Sequence, residues 1–257
     1  MSEAEARSSL SLSRPLAFHK CTSSFSFGST NFTPRRLFQL LDWLLKHGFY
    51  FESGSPEKRL SVTLDDGYRH LMDVLPRLVQ EFGIHPVVFV PTDFIGRTNT
   101  WDYSHFLRPE THLSRTEIRE LRPFGVQFGT HGHTHRDLTC LHDTEAEREL
   151  RLSREIMEEI LGEPIRLISY PFGRFNDTLL KLASDCGYDA GYTMNFPCPN
   201  DAPLQHGRIP IYGYDTHLSI AHKLGTGFTH RVEQVKTKVT NRLSAGTTLL
   251  NSLRHRS

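Results

Sequence analysis

The sequence predicts an α/β fold built on a parallel sheet, either open or closed into a barrel. Short apolar, β-branched runs alternate several times with longer stretches of helical periodicity. Three polar clusters, Asp65–Asp66, His131–His135 and Tyr170–Gly173, each follow a predicted strand. Functional residues of parallel α/β proteins gather at the carboxyl ends of the strands, so clusters at equivalent ends fit the same architecture.

The elements follow in order. Residues 1–14 are rich in Ser and Glu and read as a disordered lead-in, and "PLAFHK" as a short strand. "TPRRLFQLLDWLLKHG" is a helix capped by Thr33, with Pro34 at its first position and Gly48 as its stop. Leu37, Leu40, Leu41, Leu44 and Leu45 form its apolar stripe. "RLSVTLDDG" is a strand running into a turn, and "YRHLMDVLPRLVQEFG" is helical with a break at Pro76. "HPVVFVPTDFIG" is a buried strand. Ser114 and Glu117 make a capping box for a short helix reaching about Arg122. "GVQFGTHGHTH" is a strand ending in the histidine loop. A long amphipathic helix starts near Asp143 and stops at Gly162. "IRLISYPFG" is a strand, "NDTLLKLASDCG" a helix, "YDAGYTMNF" a strand, and "GRIPIYG" a sixth strand. The stretch from His230 to Ser257 is a basic peripheral tail.

Composition narrows the function. A chain of 257 residues with 37% hydrophobic and 23% charged residues has the balance of an ordinary globular protein. A net charge of +1 argues against capture of nucleic acid. Cys21, Cys140, Cys186 and Cys198 lack C-x-x-C spacing and read as reduced thiols. The first twenty residues lack the apolar core of a secretory signal, and no apolar run approaches the roughly 20 residues of a membrane helix. The expectation is a soluble, cytoplasmic protein with no integral membrane segment.

The clusters carry the chemistry. Adjacent carboxylates such as Asp65 and Asp66 repel each other and tolerate burial only beside a cation. His131 and His135 are four apart, close enough to share one metal ion, whereas His133 between them points elsewhere. Two imidazoles and one carboxylate are three protein ligands, which suits a catalytic divalent metal with an open position, zinc foremost. The remaining carboxylate is then placed to act as a general base.

"VTLDDGY", "QFGTHGHTHRDLT" and "LISYPFGRFND", in this order, resemble the polysaccharide deacetylase family (the NodB homology domain), and the resemblance spans roughly residues 60–212. It implies a distorted (β/α) barrel and metal-dependent hydrolysis of N-acetyl groups on amino sugars of a polysaccharide, oligosaccharide or glycan precursor. It further implies Asp65 as general base, Asp66, His131 and His135 as metal ligands, and the Phe172 N–H at the oxyanion, with Tyr170, Pro171 and Phe172 lining a substrate groove. Gly132 stands where Ser or Thr is frequent, so one hydroxyl hydrogen bond is absent. Ser169 stands where many members carry an arginine that contacts the catalytic aspartate. Arg208, assigned here to the substrate-binding group, is the candidate to restore that charge. The late L-x-H motif that supplies the general acid is missing, leaving His206, His217, His222, a water at the metal or protonated Asp65. The rivals are another amide hydrolase with a small-molecule or glycolipid substrate and a catalytically silent glycan- or metal-binding homologue. The expected domains are residues 1–14 as lead-in, 15–228 as the catalytic domain and 229–257 as the basic tail.

Overall fold

Alternating strand and helix patterns can bury both faces of a parallel sheet, and this chain rolls such a sheet almost shut. The computed structural model describes residues 13–23, 30–51, 58–99, 109–195, 202–225 and 235–236. Eight strands form one sheet: β1 (Arg14–Phe18), β2 (Leu60–Leu64), β3 (Val87–Val90), β4 (Gln127–Thr130), β5 (Leu167–Ser169), β6 (Ala190–Thr193), β7 (His206–Gly207) and β8 (Ile209–Pro210). The order is β7-β6-β5-β4-β3-β2-β1-β8, and every pairing is parallel. The expected sixth strand is therefore two short ones. β7 pairs with β6 at one edge and β8 with β1 at the other, with only Arg208 between them. The chain at Arg208 thus joins the two edges of a nearly closed barrel. The strand expected from residue 15 begins one residue earlier, because Arg14 pairs with Leu60 and donates from Nη1 to the Leu224 carbonyl.

The helices pack outside. They are α1 (Pro34–Lys46), α2 (Leu75–Phe82), α3 (Arg115–Leu121), α4 (Asp143–Leu161), α5 (Asp177–Asp185) and α6 (His217–Leu224). Thr33 caps α1 by accepting from the Arg36 N–H. Leu37, Leu40, Leu41 and Leu44 are buried, but Leu45, at the edge of that stripe near the helix end, is 41% exposed. The capping box of Ser114 and Glu117 is closed in both directions. Pro76 does not kink one long helix. A 3₁₀ turn at Arg69–Asp73 precedes α2, and Pro76 occupies the first turn of α2, where its missing N–H costs nothing. The helix α6 was not expected from the sequence.

Strand alternation divides the interior. Val88 and Val90 face the helices in the main core, while Val87 and Phe89 face into the barrel with Tyr192. The barrel bore is narrow at Gly129. A Cβ there would lie 2.7 Å from both the Leu167 carbonyl oxygen and the Phe89 ring. Among the described residues no helix is long and apolar enough to cross a membrane. Cys21, Cys140 and Cys186 are free thiols, and Cys198 lies outside the described residues. So do the lead-in to residue 12 and the basic tail apart from Val235 and Lys236.

Gly129→Ala is expected to destabilise the fold by about 1–3 kcal/mol, the usual cost of overpacking. Urea unfolding with an unchanged midpoint would show that the bore can relax around the added methyl group.

Candidate metal centre and active site

Every strand of a parallel barrel ends at the same rim, so residues following different strands can meet there. His19 follows β1, Asp65 and Asp66 follow β2, His131 follows β4, and Tyr170 to Gly173 follow β5. The ladders continue into the site. Asp65 N–H donates to the Phe18 carbonyl and His131 N–H to the Val90 carbonyl, both at 2.9 Å.

Asp66, His131 and His135 are buried, and one ligand atom from each lies within 4.8 Å of the others. Asp66 Oδ1 lies 3.7 Å from His131 Nε2 and 3.4 Å from His135 Nε2. That oxygen is buried without a hydrogen-bond partner. An unsatisfied carboxylate oxygen facing two imidazole nitrogens is costly in a protein interior and is relieved by a cation. His131 Nδ1–H donates to the Ser169 carbonyl at 2.7 Å, which leaves the lone pair on Nε2 turned toward Asp66. Burial pushes the His131 imidazole down to about 4, against the pull of Asp65 and Asp66, so it is neutral at pH 7. Burial acts to raise the Asp66 carboxyl, but His135, His19 and His131 hold it well below the usual carboxylate range. A carboxylate and two imidazoles suit a divalent ion.

The backbone is strained at these positions. Asp66, His135 and Phe172, with φ of 70°, 56° and 60°, are the positive-φ non-glycine residues of the described chain. Such residues cost on the order of 1 kcal/mol each and cluster where function demands an unusual direction. Phe172 lies in the 3₁₀ turn Pro171–Gly173, and its ring makes a T-shaped contact with His135 at a centroid distance of 5.0 Å. The next residue must be glycine. Gly173 has φ 66°, and a Cβ there would lie 2.5 Å from Met194 Cβ. Gly173 N–H and Arg174 N–H close this turn, and the Phe172 N–H takes no part in it.

Asp65 is 1% exposed and Arg208 is fully buried. Arg208 grips Asp65 with two parallel hydrogen bonds, Nη1 to Oδ1 and Nη2 to Oδ2, both 2.7 Å. Nη2 also donates to Ser169 Oγ at 2.8 Å, and Nη1 to Thr63 Oγ1 at 3.2 Å. Burial acts to raise the Asp65 carboxyl, but Arg208, with help from His131 and His19, holds it down to about 2. Asp65 is therefore ionised at neutral pH. The guanidinium sits behind the carboxylate, out of reach of solvent, so the assignment of Arg208 as a substrate-binding residue is corrected: it is the counter-ion of Asp65. Tyr170 is corrected likewise. Its ring is fully buried in the main core and its hydroxyl donates to the Leu204 carbonyl, so it lines no groove. Pro171 is buried near Gly132, and Phe172 is half-buried.

Two residues escaped the sequence reading. His19 Nε2 lies 3.8 Å from Asp65 Oδ2 and its side chain is 22% exposed, so it touches the carboxylate and solvent. Its only sequence signal was a histidine, followed by Lys20, at the end of an apolar run. The named candidates for proton donor sit elsewhere: His206 packs on Tyr192, His217 stacks on Trp43, and His222 lies in the last turn of α6. Glu149, buried on α4, accepts three hydrogen bonds from the histidine loop. His133, expected to point away from the ion as a bystander or at most a support for the ligands, has its Nδ1 2.9 Å from Thr92 Oγ1 and so anchors the loop.

Fold and site together define a (β/α) barrel with a buried Asp-His-His cluster and an ionised aspartate at the carboxyl ends of its strands. Known proteins place it more closely. A sequence profile of the family described as polysaccharide deacetylase matches residues 52–191, more than half of the chain. This chain belongs to the polysaccharide deacetylase family, a group of hydrolytic carbohydrate deacetylases. Among its relatives is YxkH of Bacillus subtilis, named as a polysaccharide deacetylase, with 24% identity over 227 residues, 83% of this chain and 75% of the relative. The deacetylase PplD of Streptococcus pyogenes, solved in complex with acetate, shares the fold with a TM-score of 0.69, at 20% identity over 83% of this chain and 98% of PplD. IcaB of Ammonifex degensii also has a TM-score of 0.69, at 20% identity over 83% of this chain and 97% of its own.

Arg208→Met is expected to destabilise the protein by about 3–5 kcal/mol, because it strands a buried carboxylate. Arg208→Lys should recover only part of that loss, since an ammonium cannot match the fork of two bonds. Equilibrium unfolding in denaturant measures both. A loss below about 1 kcal/mol for the Met variant would mean that Asp65 finds another partner.

Proposed function

We propose that this protein is a metal-dependent hydrolase that removes N-acetyl groups from amino sugars of a polysaccharide, an oligosaccharide or a glycan precursor, with zinc as its ion. The observation that supports this most is the convergence of buried Asp66, His131 and His135 beside an ionised, arginine-paired Asp65. When bound by those three residues, the ion supplies Lewis-acid polarisation and acidifies water.

The chain's own groups divide the remaining work. Asp65 takes a proton from the water that attacks the amide carbonyl, and Arg208 keeps its two oxygens oriented. The Phe172 N–H, left out of its own turn, donates to the oxyanion that develops on the former carbonyl oxygen. His19, beside Asp65 and partly open to solvent, delivers a proton to the departing nitrogen as the C–N bond breaks. Acetate and a free amino sugar are the products. The Phe172 ring, packed on His135, and the buried Pro171 form the apolar side of the site that receives the acetyl methyl.

Asp65→Asn is expected to lower kcat/KM for acetate release from N-acetylglucosamine oligomers by roughly 10²–10⁴-fold while metal content stays near one ion per chain. Asp66→Asn, His131→Ala and His135→Ala should lose the metal, as read by elemental analysis. Metal loss in Asp65→Asn would exchange the roles of the two aspartates. His19→Ala should lose activity on a similar scale with the metal retained, whereas His217→Ala and His222→Ala should stay close to wild type. Full activity in His19→Ala would place proton delivery elsewhere.

A further inference from the structure

The two histidine ligands are separated by a loop whose backbone has no regular partner. Gly132 has φ 70° and His135 φ 56°, so residues 131–135 are not a helical turn, and their N–H and C=O groups must be satisfied individually. Glu149, on α4 and 7% exposed, meets them. Its Oε2 accepts from the His133 N–H at 2.9 Å and from the Thr134 N–H at 2.8 Å, and its Oε1 accepts from the Thr134 hydroxyl at 2.6 Å. A Cβ added at Gly132 would lie 3.6 Å from the same Oε2, so the carboxylate also passes close to the backbone between the ligands.

The opposite side of the loop is held as well. The Gly132 and His133 carbonyls accept from the N–H groups of Thr92 and Asp93, at 3.3 and 2.9 Å, and the Thr92 hydroxyl meets the His133 ring. The loop is therefore clamped between the end of β3 and one helix side chain. Only the clamp from α4 is ionic, and it has no main-chain substitute. Successive N–H groups converging on an anion form a concave binding site, here occupied by the protein's own carboxylate. Hydrogen bonds of this charge-assisted kind are among the strongest a side chain makes.

We propose that Glu149 is the positioning residue of the histidine loop: its buried carboxylate fixes the backbone between His131 and His135 and so holds both imidazoles at one point. The inference deepens the reading of Asp66, His131 and His135 as metal ligands and rests on it. Gly132 offers no hydroxyl to brace the loop from within, and Glu149 braces it from below.

The test uses the full chain with Zn²⁺ titrated into metal-free protein, together with amide hydrogen exchange of His133 and Thr134 in the absence of metal. Glu149→Ala is expected to raise the Zn²⁺ dissociation constant by about 10–100-fold, the usual cost of removing a group that orients metal ligands. Exchange at both amides should accelerate by about tenfold or more, because their acceptor is gone. Glu149→Gln keeps one acceptor oxygen and should fall between wild type and Ala; it carries the test if the Ala variant does not fold. Met157→Ala, about two turns further along the same buried helix face, should lower stability yet leave the dissociation constant and both exchange rates unchanged. The proposal is overturned if Glu149→Ala leaves affinity and exchange as in wild type, or if Met157→Ala weakens Zn²⁺ binding equally. Should the wild-type protein bind no Zn²⁺, the metal reading fails. Exchange alone then decides: faster His133 and Thr134 exchange in Glu149→Ala upholds the positioning role, and unchanged exchange removes it.

Discussion

The buried ion pair of Asp65 and Arg208 is the constraint on which the barrel and its chemistry both depend. Arg208 lies between β7 and β8, the two edges of the sheet, so the residue that closes the barrel also fixes the carboxylate. Neither partner could be buried alone, since an isolated charge in a protein interior is far too costly. Together they use both oxygens of one group and both terminal nitrogens of the other, and Ser169, Thr63, Met194 Sδ and the Thr193 carbonyl accept the remaining bonds of the guanidinium. Ser169 is small enough to leave the guanidinium its place. The charge that the family resemblance led one to expect at position 169 thus comes from the junction of β7 and β8 and still meets the carboxylate.

Around that pair the site is assembled from strained backbone held by ordinary hydrogen bonds. Asp66, His135 and Phe172 carry positive φ, and each turns its residue toward a shared point that regular strand geometry would miss. The strain persists because the neighbours leave few alternatives: Gly173 is packed against Met194, and the histidine loop is held by Glu149 and by the N–H groups of Thr92 and Asp93. The three histidines of "THGHTH" consequently do two jobs. His131 and His135 face Asp66, and His133 ties the loop to the end of β3.

The position of His19 follows from parallel topology. All strands end at one rim, so a side chain after the first strand reaches the same place as one after the last. Sequence order therefore says little about which histidine stands beside Asp65. The late histidines lie elsewhere: His206 packs on Tyr192, His217 stacks on Trp43, and His222 lies in the last turn of α6.

By itself the sequence determined the alternating elements, the capping of α1 and α3, the ends of α4 and the three clusters, because these are local. Hydrophobic period, cap residues and turn glycines act over a few positions. It also carried the grouping of His131 and His135 with one of the two aspartates, since the residue types and their four-residue spacing are visible in one dimension, while the choice of Asp66 came from the family resemblance. Only the tertiary structure decided that "GRIPI" divides into two strand ends, that Arg208 faces Asp65 from inside the barrel, that Tyr170 is core, and that His19 and Glu149 belong to the site. Each of these depends on contacts between residues distant in the chain, from Tyr192 with His206, 14 positions apart, to Leu16 with Ile209, 193 apart, where closure of the barrel, not local preference, sets the neighbours.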